Sequence, residues 1–104
     1  MVMDIVKAHN AGKVRFAISG RLDTTTAPRL QETLMPEIDA GNNIELDCTE
    51  LAYISSAGLR VLLLGEKTAQ GKGVHMTLAH VSPDIMEIFS MTGFDTILTI
   101  ERGK

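Results

Sequence analysis

The sequence has little cysteine, no cluster of basic residues and no long apolar stretch, and each lack excludes a class of function. Cys48 is the only cysteine in 104 residues, which excludes an intramolecular disulfide and a multi-cysteine metal site. Lys and Arg form no run and the net charge is −3, which argues against nucleic-acid and anionic-membrane partners. No segment approaches the roughly 20 apolar residues of a membrane span. The first residues lack a signal-peptide pattern, so we expect a cytoplasmic domain.

Motifs of catalysis are missing as well. The segment Ile54-Ser55-Ser56-Ala57-Gly58 lacks the first glycine of the nucleophile motif Gly-x-Ser-x-Gly. Gly71-Lys72-Gly73 does not complete a Walker phosphate loop. The histidines have no nearby acidic partners in the sequence and form no metal signature. We therefore predict a protein that is not an enzyme and holds no metal and no cofactor.

What is present is a balanced composition and alternating structural patterns. Hydrophobic residues make up 44% and charged residues 22%, as in one globular domain, which we assign to residues 1–104. Strands are predicted at 4–8, 13–19, 43–48, 74–79 and 96–100, and helices after 24–28, 55–58 and 82–83. Pro36 predicts a kink or an early end of the first helix near Met35.

This order of elements predicts an α/β fold. An N-terminal hairpin is followed by alternating helices and strands, so the mixed sheet should be parallel in its later part, with the helices covering it. Between the third strand and the second helix lies Tyr53-Ile54-Ser55-Ser56-Ala57-Gly58-Leu59. Two hydroxyls thus fall at a helix N-terminus, where a side chain can cap the helix or a phosphate can bind the free N–H groups. Both interpretations remain open from the residues alone.

Three motifs resemble the STAS family, named for sulfate transporters and anti-sigma factor antagonists. The segment 53–59 resembles the family pattern aromatic, apolar, Asp, Ser, Ser or Ala, Gly, Leu, with Ser55 in the place of Asp. Ser19-Gly20-Arg21-Leu22-Asp23 resembles the Gly-x-Leu/Ile-Asp that precedes the first helix of the family. Ser82-Pro83-Asp84-Ile85, with Phe89-x-x-x-Gly93-Phe94, resembles the last core helix and the strand after it. The motifs occur in order and with fitting spacing.

The resemblance implies a single STAS-like domain that acts as a protein-binding switch. In bacterial antagonists the unphosphorylated domain binds an anti-sigma factor that is also a serine kinase, and the sigma factor is released. The kinase then phosphorylates the antagonist, and a serine phosphatase reverses the modification. By position the phosphoacceptor is Ser56, with Ser55 as the second choice, and Gly58 lets the partner approach. The implied partner-binding residues are Asp23, Thr24, Thr25, Ser55, Ala57, Gly58 and Leu59.

Two other functions are compatible with the same residues. One is a constitutive scaffold or regulatory module that binds without phosphorylation, for which Ser55 in place of Asp is the motivating feature. The other is a weak nucleotide-binding or nucleotide-hydrolysing domain that uses the same helix N-terminus, although no phosphate loop accompanies it. Family members often add a closing helix, which this sequence does not show. A surface left uncovered in this way favours self-association, so we expect a monomer or a weak homodimer.

Overall fold

Strands and helices alternate after an opening hairpin, as predicted. The computed structural model describes residues 3–101. The strands are β1 (Asp4–Asn10), β2 (Lys13–Leu22), β3 (Asn43–Ile54), β4 (Met76–Ala79) and β5 (Thr99–Ile100). The helices are α1 (Ala27–Asp39), α2 (Ser56–Lys72) and α3 (Pro83–Thr92), followed by a 3₁₀ turn at Phe94–Thr96. The α/β fold class and the order of elements are confirmed.

The strands form one mixed sheet of five strands in the order β1-β2-β3-β4-β5. The hairpin strands β1 and β2 are antiparallel, and every later neighbour pair is parallel. The hairpin turns at Ala11 and Gly12, whose φ angles of +50° and +83° are both positive, as a type I′ turn requires. The parallel part brings the carboxyl ends of β2 and β3 side by side, which determines where the candidate site lies.

One face of the sheet is buried under the helices and the other carries charge. Alternate residues of the central strands point into the core: Val14, Phe16, Ile18, Ile44, Leu46 and Cys48. The helices meet them with Leu30, Leu34, Ile38, Leu59, Leu62, Ile85 and Phe89. On the opposite face, Glu45 Oε1 lies 2.8 Å from Lys13 Nζ, and Asp47 Oδ2 lies 2.5 Å from Arg15 Nη2. The helices are thus held to one face, and their N-termini can gather at one end of it.

An early end of the first helix near Met35, one of the two outcomes predicted from Pro36, is wrong, because α1 continues through Pro36 to Asp39. Proline lacks an N–H and removes one helical hydrogen bond. Here it lies in the last turn of the helix. The free energy lost with one hydrogen bond there is smaller than the free energy gained by burying the Ile38 side chain, which is 0% exposed. The Pro36 carbonyl also accepts a hydrogen bond from the N–H of Ala40 at 3.0 Å.

All five strands differ from the predicted bounds at one end, β3 and β5 among them. Strand β3 continues past Cys48 to Ile54, because Leu51 and Ile54 reach buried positions and the added residues pair with residues 19–22 at the end of β2. The last strand is reduced to Thr99–Ile100, because α3 ends at Gly93 (φ +81°) and the chain continues into the 3₁₀ turn. Among residues 3–101, no helix combines the length and hydropathy needed to cross a membrane.

Candidate functional site

The candidate site lies at the carboxyl ends of β2 and β3. Leu22 and Ile54 are register partners in the last residues of these two parallel strands. The loop before α1 and the start of α2 therefore emerge side by side, and the N–H of Ser55 donates to the Leu22 carbonyl at 2.9 Å. Ligands of open α/β sheets bind outside the carboxyl ends of the strands. The structure thus places Asp23 to Thr25 next to Ser55 and Ser56, with which the family resemblance had grouped them.

Asp23 organises the loop before α1. Its Oδ1 accepts hydrogen bonds from the Thr25 N–H at 3.1 Å and from the Thr25 hydroxyl at 2.8 Å. The Thr26 hydroxyl donates to the Arg21 carbonyl at 2.7 Å and accepts from the Asp23 N–H at 2.8 Å. Thr26 occupies the N-cap position of α1 but makes no side-chain capping bond, because its hydroxyl is engaged in this turn. The loop is held by its own side chains and presents Thr24 and Thr25 to solvent.

An arginine and a tyrosine flank this loop. Arg21 Nε lies 3.6 Å from Asp23 Oδ2, and the Arg21 guanidinium lies 4.1 Å from the centre of the Tyr53 ring. A cation over an aromatic face is attracted by the ring quadrupole. The pKa of Asp23 is lowered from its usual range, mainly because the Thr25 hydroxyl donates a hydrogen bond to the carboxylate. Burial acts in the opposite direction and raises the pKa, whereas hydrogen bonds from the Thr25 and Thr26 amides lower it further. Asp23 is therefore a carboxylate at neutral pH.

Ser55 and Ser56 differ sharply in their surroundings. Ser55 is the N-cap residue of α2, yet its side chain makes no capping bond, and its Oγ is buried without a hydrogen-bond partner among the described residues. Ser82, at the start of α3, does cap its helix, with Oγ accepting from the Ile85 N–H at 3.3 Å. Ser56 is the first residue of α2 and is exposed. The capping interpretation therefore fails for Ser55, and Ser56 carries the accessible hydroxyl.

Gly58 faces the protein interior rather than a partner. A β-carbon built on it would lie 2.8 Å from Leu22 Cγ and 2.9 Å from Ile54 Cγ1, and Gly58 is itself buried. Leu59 is only 6% exposed. The missing side chain at Gly58 thus allows α2 to pack against the ends of β2 and β3. This corrects the expectation that Gly58 lets a partner approach. Ala57 is half-buried at the rim of the site.

Two shallow grooves flank the first turns of α2. One is largely apolar and is lined by Ser56, Leu59, Arg60, Leu63, Thr92 and Phe94. The other runs between α1 and α2 and includes Thr24, Ala27, Gln31, Ala57, Arg60 and Leu64. Arg60 is common to both grooves. The exposed surface around Ser56 therefore combines hydroxyls, apolar walls and one cation, a composition suited to contact with another protein.

No catalytic constellation surrounds Ser56 in the part of the chain that the structure describes. Among residues 3–101, no group of His, Cys, Asp and Glu is arranged to hold a metal ion. His9 Nε2 lies 3.5 Å from Glu37 Oε1, and none of the histidines lines either groove. Burial raises the pKa of the Cys48 thiol to about 12, with a further contribution from the Asp47 charge. A thiol with such a pKa is protonated at neutral pH and is a poor nucleophile.

Comparison with known proteins identifies the family. Residues 5–99 match a family model described as "Mlab, STAS domain". The chain belongs to the STAS domain family. BtrV from Bordetella bronchiseptica, a candidate anti-sigma factor antagonist, is 31% identical over 94 residues, which are 89% of this chain and 81% of BtrV. The anti-sigma-B factor antagonist of Bacillus subtilis is 26% identical and is matched over 96% of this chain and 92% of its own length.

Solved STAS structures share the fold. The unphosphorylated anti-sigma factor antagonist SpoIIAA superimposes with a TM-score of 0.76 at 14% identity, covering 97% of this chain and 90% of SpoIIAA. The phosphorylated form of SpoIIAA from Bacillus gives a TM-score of 0.74 at 16% identity, covering 95% and 92% of the two chains. Antagonists of this family are regulatory proteins rather than catalysts.

Three residues at the candidate site were not selected from the sequence. Arg21 and Tyr53 meet only through the register of two parallel strands, which no local pattern reveals. Arg60 could have been found, because it lies four residues after Ser56 and positions i and i+4 share a helix face.

Proposed function

We propose that this protein is an anti-sigma factor antagonist whose partner binding is controlled by phosphorylation of Ser56. The observation that carries the proposal is the contrast between the two serines: Ser56 is exposed at the start of α2, whereas the Ser55 hydroxyl is buried. The family pattern independently points to Ser56. The loop at Asp23, Thr24 and Thr25 lies beside it and forms the rest of the partner-binding surface.

Under this proposal, the unphosphorylated protein acts in the cytoplasm and captures an anti-sigma factor that is also a serine kinase. Capture releases the sigma factor that the kinase had held. The kinase transfers the γ-phosphoryl group of ATP to the Ser56 hydroxyl, which loses its proton, and ADP leaves. A serine phosphatase then hydrolyses the phosphoester and restores the binding form.

The charge introduced by phosphate explains how such a switch works without unfolding the domain. A phosphoryl group adds about −1.5 to −2 charges at neutral pH. At the N-terminus of a helix this charge is favourable by about 0.3–1 kcal/mol. Buried in an interface that was complementary to a neutral serine, it costs a few kcal/mol. Since about 1.4 kcal/mol corresponds to a tenfold change in affinity, the complex dissociates while the fold persists.

The test is phosphorylation by the cognate kinase. Wild type, Ser56→Ala and Ser55→Ala are incubated with the kinase and ATP, and the modified residue is mapped by mass spectrometry. We expect one phosphate on Ser56 in the wild type and in Ser55→Ala, and none in Ser56→Ala. Phosphate confined to residues outside 55–56 would refute the site, and an unmodified wild type would refute the phosphorylation switch.

A second function, constitutive binding without phosphorylation, is favoured by one observation. Ser55 replaces the family Asp, so a negative charge is missing beside the acceptor. A kinase that recognises that charge would leave this protein unmodified. Such a scaffold would use the same surface, and its partner affinity would not depend on the charge at position 56.

A further inference from the structure

Arg60 lies where a phosphate on Ser56 could reach it. The two residues are four positions apart on α2, both are exposed, and both line the apolar groove that includes Leu63 and Phe94. Side chains at i and i+4 of a helix are neighbours, with about 5–6 Å between their β-carbons. An acidic group N-terminal to a basic group is the more favourable orientation of such a pair.

Arg60 also has no other electrostatic partner among residues 3–101. The other arginines in this range are engaged: Arg15 with Glu45 and Asp47, Arg21 with Asp23 and Tyr53, and Arg29 with the Met3 carbonyl. The Arg60 side chain makes no hydrogen bond and no salt bridge to a described residue. Its guanidinium can therefore turn toward a new anion without giving up an existing contact.

We propose that Arg60 is the intramolecular counter-ion of phosphorylated Ser56. The inference rests on the proposed function, since it concerns the phosphorylated form of that site. The planar guanidinium offers paired N–H donors that match phosphate oxygens, and the apolar groove wall limits competition from water. Phosphorylation then withdraws the Arg60 charge from the partner-binding surface as well as adding negative charge to it.

Other cations on the described surface are less suited to this role. Arg21 is already held by Asp23 and Tyr53 on the neighbouring strand. Lys67 is exposed on α2 but lies about three helical turns beyond Ser56, which is too far for a direct pair. Lys67 is therefore a suitable control residue, because replacing it removes the same charge from the same helix.

The test measures the phosphate itself and needs no kinase. Phosphoserine is incorporated at position 56 by genetic encoding in four proteins: the otherwise unmodified chain, Arg60→Ala, Arg60→Lys and Lys67→Ala. The second pKa of the phosphate, ordinarily about 6, is read from a ³¹P NMR titration of each. We expect Arg60→Ala to raise this pKa by about 0.3–0.7, Arg60→Lys to raise it less, and Lys67→Ala to leave it nearly unchanged.

Two results would overturn the inference. One is the same phosphate pKa with and without Arg60. The other is an equal rise in Arg60→Ala and Lys67→Ala, which would indicate a general effect of net charge. Thermal unfolding and amide spectra of each variant verify that the fold is intact. Because the phosphate is installed without a kinase, failure of this inference is distinct from failure of Ser56 to be phosphorylated.

Discussion

Gly58 packs so closely on Leu22 that a β-carbon at position 58 would lie 2.9 Å from the Leu22 carbonyl oxygen. The neighbouring atoms cannot easily withdraw, because one of them belongs to the backbone at the end of β2. The start of α2 is thus positioned by a contact that only glycine permits. Ser56, two residues earlier in the same helical turn, is exposed beside this contact.

Gly58→Ala is therefore expected to destabilise the domain, although alanine favours helices. Overpacking costs about 1–3 kcal/mol, and the gain in helix propensity offsets at most about 1 kcal/mol. The matched control is Gly71→Ala, on the same helix, where an added β-carbon has no neighbour within 4 Å. That control should raise the free energy of unfolding by about 0.5–1 kcal/mol. Urea denaturation measures the free energy of unfolding of both variants. Equal stability of Gly58→Ala and Gly71→Ala would contradict the packing argument.

The reactivity of a thiol should differ strongly between positions 55 and 56 when each serine is replaced by cysteine. Ser56→Cys exposes a thiol at a helix N-terminus, where the thiolate is favoured, and should react at least about tenfold faster with a disulfide reagent than Ser55→Cys. Cys48 provides an internal baseline, because it is 1% exposed and its pKa is raised to about 12. The rates are followed by absorbance in native buffer. Comparable rates at positions 55 and 56 would contradict the burial of the Ser55 hydroxyl.

Partner affinity should depend on charge at position 56 and not on the hydroxyl. Ser56→Asp is expected to weaken binding to the cognate anti-sigma factor by about tenfold or more, and Ser56→Ala to bind as the wild type does. Isothermal titration calorimetry measures the three dissociation constants. Equal constants for all three proteins would favour the constitutive scaffold.

The charged face of the sheet should make stability sensitive to acid. Hydrogen bonding to Lys13 is the main reason that the pKa of Glu45 is lowered from 4.5; burial opposes it, and Arg15 adds to it. A carboxyl whose pKa is depressed by folding stabilises the native state above its unfolded pKa, and this contribution is lost as the pH falls through the folded pKa. The free energy of unfolding should therefore decline below about pH 4.5.

Replacing the Glu45 carboxylate shows how much this group contributes to the loss of stability in acid. Glu45→Gln should be less stable than the wild type at pH 7 and should lose less stability on acidification. Glu32→Gln, at an exposed position on α1, is the control and should follow the wild-type curve. Urea denaturation at several pH values measures the slopes. An unchanged slope in Glu45→Gln would show that the ion pairs with Lys13 and Arg15 contribute nothing to stability.

Periodicity and turn chemistry were sufficient to predict the fold. Alternation in Val14, Phe16 and Ile18 predicted a half-buried strand, and Ser82 with Pro83 predicted the start of α3, because both signals are local. The boundaries were less predictable. Pro36 is tolerated because it falls in the last turn of α1 beside a buried Ile38, and that compensation depends on tertiary packing.

The candidate site was predictable in its position and less so in its detail. The family motif led to Ser55 and Ser56, but only the packed structure distinguishes a buried hydroxyl from an exposed one. Similarly, a small residue at position 58 was read as room for a partner, whereas it is required by the close approach of Leu22 and Ile54. In both cases the decisive contact joins residues far apart in sequence.

The stacking of Arg21 on Tyr53 has a practical consequence. Tyr53 is the only tyrosine and the chain has no tryptophan, so its intrinsic fluorescence comes chiefly from one ring. That ring is 37% exposed, lies under a guanidinium, and is three residues before Ser56. The emission of the unlabelled protein therefore reports on this end of the sheet, and we expect a change of charge at Ser56 to alter it.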